Sequence, residues 1–151
     1  MPVLLLIEQS CFGGERFDRQ YIEDLLDDED VDVFVAVVKD AIVGSAMIRH
    51  ERRGKRSNLL SLALLPCEQG RGYSKVILAK VEELAQKRGS RSVYLEVRVQ
   101  NAPAIRLYHN SGYVTGSRLQ GFFGKDEDAW KMTKGIEAAP DGSRERLESK
   151  K

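Results

Sequence analysis

Residues 93–113 read VYLEVRVQNAPAIRLYHNSGY. Val93, Leu95, Val97 and Val99 alternate with Tyr94, Glu96, Arg98 and Gln100, the two-residue period of a strand with one apolar face. Asn101 ends the alternation. Its side-chain oxygen suits the cap of a short helix over 102–111, where Pro103 is tolerated in the first turn and Gly112 follows the end. Upstream, residues 74–88 put Ile77, Leu78, Val81, Leu84 and Ala85 on one helical stripe, with Lys75, Lys80, Glu82, Glu83 and Lys87 elsewhere and Gly89 placed as a C-cap. Before that helix, the near-continuous apolar run 59–65 predicts a central strand buried on both faces, ended by Pro66. Strand, helix, strand, helix in succession predicts a sheet with helices packed against it.

The flanks complete that sheet. Residues 31–38 are dense in β-branched side chains, Lys39 and Asp40 make a turn, and 41–48 continue as a second strand of a hairpin. A basic, Gly-containing connection at 51–56, ERRGKR, leads to the central strand and reads as a solvated hairpin loop. Short helices are expected at 4–11 and 17–26, and closing strands at 113–117 and 129–134 around a polar, Gly-rich loop. Residues 137–151 offer little apolar surface to bury and are expected to form a disordered tail, leaving one domain over 1–136. The fold class is α/β with a mixed central sheet.

Composition narrows the function. A chain of 151 residues with 42% hydrophobic side chains has the size of a single domain. Lys and Arg total 24 against 23 Asp and Glu, a net charge of +1, which argues against a dedicated nucleic-acid partner. No stretch reaches the ~20 apolar residues of a spanning helix, and a cytoplasmic location without a membrane partner is expected. Cys11 and Cys67 are expected to be reduced thiols, and with only His50 and His109 beside them no metal-ligand spacing appears.

Between the central strand and the long helix lies Cys67-Glu68-Gln69-Gly70-Arg71-Gly72-Tyr73-Ser74-Lys75, a Gly-rich turn that aims backbone N–H groups outward at a helix start, where anions bind. The Walker pattern fails because Tyr73 follows Gly72, and GxGxxG fails at Lys75. The pattern QxxGxG/A fits, with Gln69, Gly72 and Ser74 in its last slot. It resembles the pyrophosphate loop of the GNAT acetyltransferases. The run Leu95-Glu96-Val97-Arg98, Asn101, Ala104-Ile105, Leu107-Tyr108, Gly112-Tyr113 is similar to a longer pattern, LEVRxxNxxAIxLYxxxGF, found in the GNAT branch of RimI-type ribosomal-protein alanine N-acetyltransferases. The resemblance covers residues 7–132 and is concentrated between Ser61 and Tyr113.

This resemblance implies a mainly antiparallel GNAT-like sheet, acetyl-CoA as acetyl donor, and direct attack by a primary amine without a metal. The acceptor it implies is a protein or peptide N-terminus. Leu62, Ala63 and Leu64 would offer backbone groups to the pantetheine arm; Gln69, Gly70, Arg71, Gly72, Tyr73, Ser74 and Lys75 would cradle the pyrophosphate; Asn101 would hydrogen-bond the same arm or serve only as a helix cap. Tyr108 would act as general acid, because a phenol near ~10 can protonate a departing thiolate near ~8.5. Glu96 would be the base, and a carboxylate within a Val/Leu strand is expected to be partly desolvated. Plain alternatives stay open: a packing tyrosine at 108, an outward-facing charge at 96, a solubilising arginine at 71.

Two departures from the pattern bear on the acceptor. Phe122-Phe123 stand where a Tyr-Tyr pair is common in the family, ahead of Asp126, Glu127 and Asp128, which would attract a cationic acceptor or form a plain acidic turn. The chain also starts within the family's first helix, so the expectation is either a sheet without the preceding edge strand or a truncated start. A small-molecule amine or lysine acetyltransferase and a non-catalytic acyl-CoA-binding regulatory domain are the competing readings. Cys67 as an acyl-enzyme nucleophile is disfavoured, since neither histidine is spaced to serve it.

Overall fold

The computed structural model describes residues 19–65, 67 and 72–137. Within them, α1 (Arg19–Leu26) precedes the strands β1 (Val31–Val38), β2 (Ala41–Glu51) and β3 (Arg56–Leu64); α2 (Tyr73–Lys87), β4 (Ser92–Arg98) and α3 (Ala102–Asn110) follow, then β5 (Val114–Gly124) and β6 (Glu127–Gly135). The strands form one mixed sheet in the order β1-β2-β3-β4-β6-β5, antiparallel everywhere except between β3 and β4. This is the expected α/β class. The helix expected at 4–11, the question of a preceding strand and the tail beyond Glu137 lie outside the described residues.

Local chemistry explains the junctions. Lys39 and Asp40 both take positive φ, 51° and 67°, making a two-residue turn whose twist matches a β-hairpin. Helices α2 and α3 end alike. After α2, Gly89 turns left-handed (φ 84°), its N–H donates to Gln86 O, and the Ser90 N–H reaches back to Ala85 O. After α3, Gly112 (φ 100°) donates to His109 O and the Tyr113 N–H to Tyr108 O at 2.9 Å. Each is a Schellman closure that satisfies orphan carbonyls, and in α3 the Tyr108 and Tyr113 rings supply its accompanying apolar contact.

The sheet separates two apolar clusters. Val43, Ala46, Ile48, Leu59, Val93, Leu95 and Val97 pack under α2 and α3, against Ile77, Leu78, Val81, Ala85 and Tyr108. On the other face Met47 and Val31 meet Ile22 and Leu25 of α1. The strand buried on both faces is therefore β2, continuously so from Val43 to Ile48, because among the described strands it alone lends fully buried side chains to both clusters. The sequence assigns that role to residues 59–65. β3 instead alternates, with Asn58, Leu60 and Leu62 only half-buried. Among the described residues no helix is long and apolar enough to cross a membrane.

Gly44 lies at the tightest point of this core. A Cβ there would stand 2.5 Å from Ala63 O and 2.8 Å from Leu64 Cδ1. Gly44→Ala is expected to destabilise the fold by about 1–3 kcal/mol, the usual cost of overpacking, as a lowered urea midpoint at unchanged m-value. An unchanged midpoint would show that β3 yields freely.

The closing strands differ most from the sequence reading. Instead of two short strands around a long loop, β5 and β6 form an extended hairpin turning at Lys125 and Asp126 (φ 60°). β5 is the sheet edge and is exposed along most of its length, so it carries no apolar alternation to read.

A polar chain fastens the opposite end of the sheet. His50 is 4% exposed; its Nε2–H donates to Asp32 Oδ2 at 2.8 Å, its Nδ1 accepts from Ser57 Oγ at 2.7 Å, and Ser57 meets Ser90 Oγ at 2.7 Å. Burial holds the His50 pKa below its ordinary 6.5, opposed by the hydrogen bond and charge of Asp32 and aided by nearby Arg88. The unfolded chain thus takes up its proton first as pH falls, so this contribution is complete above about 6.5 and is lost below it. Acid-induced loss of stability should begin just below that pH and shrink in His50→Gln, by denaturation across a pH series. A wild-type curve superimposable on the variant's would remove His50 from the account.

Candidate active site

The parallel pair β3 and β4 defines the site. Its ladder runs from Arg56↔Ser92 to Leu59↔Leu95 and stops, although β3 continues to Leu64 and β4 to Arg98. The strands part there, towards their C-terminal ends. Both of those ends point to one edge of the sheet, as do the start of α2, which follows β3, and the start of α3, which follows β4. Leu62, Ala63 and Leu64 therefore line one side of the opening and Glu96 to Arg98 the other.

At the start of α2, Gly72 has φ 83°, and among the described residues no side chain caps the helix and a Cβ on Gly72 would meet nothing within 4 Å. The glycine is favoured by its conformation, and the first-turn N–H groups of a helix suit an anion. Tyr73 packs on the core, Ser74 is half-buried and Lys75 exposed. Gln69, Gly70 and Arg71 lie outside the described residues. Asn101 caps α3, its Oδ1 accepting from the Ala104 N–H at 3.2 Å, which leaves its amide NH₂ to donate elsewhere.

The two catalytic candidates occupy opposite faces of the sheet. Leu95 and Val97 point into the core under α2, so Glu96 points the other way, half-exposed and directly across from Lys131 of β6. Tyr108 sits on α3 within that core, its ring edge-on to Tyr113 at 5.8 Å. The parting of β3 and β4 is the way between them.

Sequence reading missed the surroundings of Glu96. Tyr94 shares its face, donates to Glu51 and lies under Arg56 and Lys131, 4.6 Å from each charge to the ring centre. Burial, then that hydrogen bond and the charges of Glu51 and Glu96, push the Tyr94 phenol up to about 12, so it stays neutral. The paired positions Glu96 and Lys131 are 35 residues apart along the chain, which no local pattern relates.

The β5–β6 hairpin is tied to the end of β4. Arg98 pairs with Glu127 and stacks over Phe123, 4.7 Å from its ring centre; Phe122 meets Phe123 edge-on and is 47% exposed. Asp128 accepts from Arg118 at 3.0 Å and from the Gly121 N–H at 2.9 Å, contacts that hold its pKa below the ordinary carboxylate value. Of the acidic triplet, Asp128 is therefore engaged within the hairpin and Glu127 with Arg98 of β4. Asp126 faces a cavity of about 530 Å³ shared with Val99, Gln100 and Gln120. Cys67 is exposed.

The opening between the parallel strands, beside a glycine-started helix, is the candidate site. The model of the acetyltransferase (GNAT) family matches residues 2–113, and the chain belongs to that family. It is a GNAT-type N-acetyltransferase. Among curated relatives it is similar to an N-alpha-acetyltransferase of Saccharolobus solfataricus, 27% identical over 131 residues that span 80% of this chain and 78% of the relative. It is also similar to the streptothricin acetyltransferase of Streptomyces lavendulae, 32% identical over 60% of this chain and 50% of that one. The solved ribosomal-protein-S18-alanine N-acetyltransferase of Escherichia coli shares the fold, with a TM-score of 0.80 at 23% identity over 93% of this chain and 90% of that one.

Proposed function

We propose that the protein acetylates the α-amine of a protein or peptide N-terminus, with acetyl-CoA as donor. The observation that carries this reading is the parting of β3 from β4 beside Glu96, with Tyr108 on its far side. Acetyl-CoA supplies an activated thioester carbonyl. The α2 start and Gly72 hold the donor's phosphates, and the backbone of Leu62, Ala63 and Leu64 orients its pantetheine arm. Glu96 accepts, through water, a proton from the acceptor ammonium; the neutral amine attacks the carbonyl, the C–N bond forms, the C–S bond breaks, the Tyr108 hydroxyl delivers a proton to the departing sulfur, and the extra proton left on the new amide nitrogen passes through water to the Tyr108 phenolate, restoring the hydroxyl.

A site with one exposed carboxylate as base suits an α-amine. At pH 7.4 an α-amine with a pKa of about 8 is roughly one fifth neutral, whereas a lysine at about 10.4 is neutral about one part in a thousand. The N-alpha-acetyltransferase named above supports the same acceptor. Phe122 and Phe123 line an apolar slot for the first side chain in this reading, without the hydroxyls of a Tyr-Tyr pair. The likeness to streptothricin acetyltransferase favours a second reading, a small-molecule amine. Steady-state rates on peptides beginning with free Ala, Ser or Met are expected to exceed those on N-blocked peptides with an internal lysine and on a polyamine. Acetylation confined to the lysine peptides or the polyamine would remove the N-terminal reading and leave the acetyltransferase.

A further inference from the structure

At the C-terminal end of α2, the β2–β3 turn and the α2–β4 turn enclose a second concavity of about 640 Å³. Arg52, Lys55, Lys87, Arg88 and Arg91 line it, against one carboxylate, Glu51. We propose that it is a binding site for a phosphate-bearing small molecule carrying at least two negative charges, separate from the acetyl donor's site.

Three of its cations are already balanced. Arg52 pairs with Asp30 at 2.9 Å, Arg88 with Asp32 at 3.3 Å, and Lys87 with Glu83 at 3.3 Å. Glu51 is likewise engaged, by Arg56 at 2.7 Å and by Tyr94. Lys55 and Arg91 differ. Among the described residues their side chains make no ion pair or hydrogen bond, yet their backbones are bolted together, the Arg91 N–H donating to Lys55 O at 2.6 Å. Lys55 is further fixed in a left-handed conformation (φ 51°), and Arg91 O accepts from the Ile136 N–H at 2.9 Å.

Helix-end charge balance accounts for Lys87 and Arg88, which sit where the α2 dipole is negative. It does not account for Lys55 and Arg91, which lie on the two turns. Two uncompensated cations held side by side on rigid backbone, at the rim of a concavity, can meet a multivalent anion with little ordering cost, and the planar Arg91 guanidinium can take two phosphate oxygens at once. The neighbouring backbone N–H groups of Gly89, Ser90 and Arg91 are all spent within the fold, so side chains must do the holding. The volume suits a small molecule. Fifteen helical residues at about 1.5 Å each separate this end of α2 from Gly72 by about 22 Å, so one ligand of this size cannot account for both sites.

Inorganic pyrophosphate is the probe, titrated calorimetrically into wild type, Gly72→Val, Lys55→Glu/Arg91→Glu and the neutral Lys55→Gln/Arg91→Gln, at constant ionic strength. Binding is expected in wild type and in Gly72→Val. In both double variants it should be weaker by at least about ten-fold, one order for about 1.4 kcal/mol of lost contact, while acetyl-CoA binding is kept. No binding to wild type, undiminished binding in either folded double variant, or loss in Gly72→Val alone would overturn the proposal, the last by placing the ion at the donor loop.

Discussion

Tyr108→Phe is expected to lower turnover by about 10²–10⁴-fold, the range for loss of a general acid, with acetyl-CoA affinity retained. The ring that packs edge-on to Tyr113 survives the change, and only the hydroxyl goes. Neither Tyr113 nor Tyr94 can replace it. The Tyr113 hydroxyl donates to Glu82 Oε2 at 3.0 Å, where Lys134 also binds, and burial followed by the Glu82 charge raises its pKa far above the ordinary phenol. Tyr94 lies on the other face and is engaged with Glu51. Stopped-flow and steady-state rates with one acceptor peptide decide the matter: equal turnover in the two proteins would make Tyr108 a packing residue.

Gly72→Val is expected to weaken acetyl-CoA binding by at least about ten-fold while the protein remains folded. A β-branched residue at φ 83° costs about 1–3 kcal/mol and pushes the helix start towards another conformation. Among the described residues an added Cβ meets no protein atom within 4 Å, so its steric effect falls on what approaches the loop. Calorimetry with acetyl-CoA, alongside thermal unfolding of the same samples, separates the two. Unchanged affinity in a folded variant would place the donor elsewhere.

Both predictions rest on residues whose place in the fold the sequence exposes, because a helix stripe, a strand alternation and a glycine at a helix start are local patterns, while their roles come from the family resemblance. Leu95 and Val97 show their core face by alternation, and the side of Glu96 follows from it. The limits are equally physical. β5 reads poorly because an exposed edge strand needs no apolar face, and β2 rather than the central β3 is buried on both faces because burial depends on where α1 and α2 come to rest. The pairing of Glu96 with Lys131, the Tyr94 cluster and the His50 relay to Asp32, Ser57 and Ser90 all join segments that register alone brings together. The gap between β3 and β4, on which the chemistry turns, is a property of a ladder that ends early.

The most direct measurement uses one peptide that carries a free N-terminal Ala and an internal lysine, incubated with the protein and acetyl-CoA at pH 7.4 and fragmented by mass spectrometry. The acetyl group is expected on the first residue, with the lysine unmodified, in wild type, and at a strongly reduced rate in Tyr108→Phe. Acetyl on the lysine alone, or no enzyme-dependent transfer to either amine, would contradict the account.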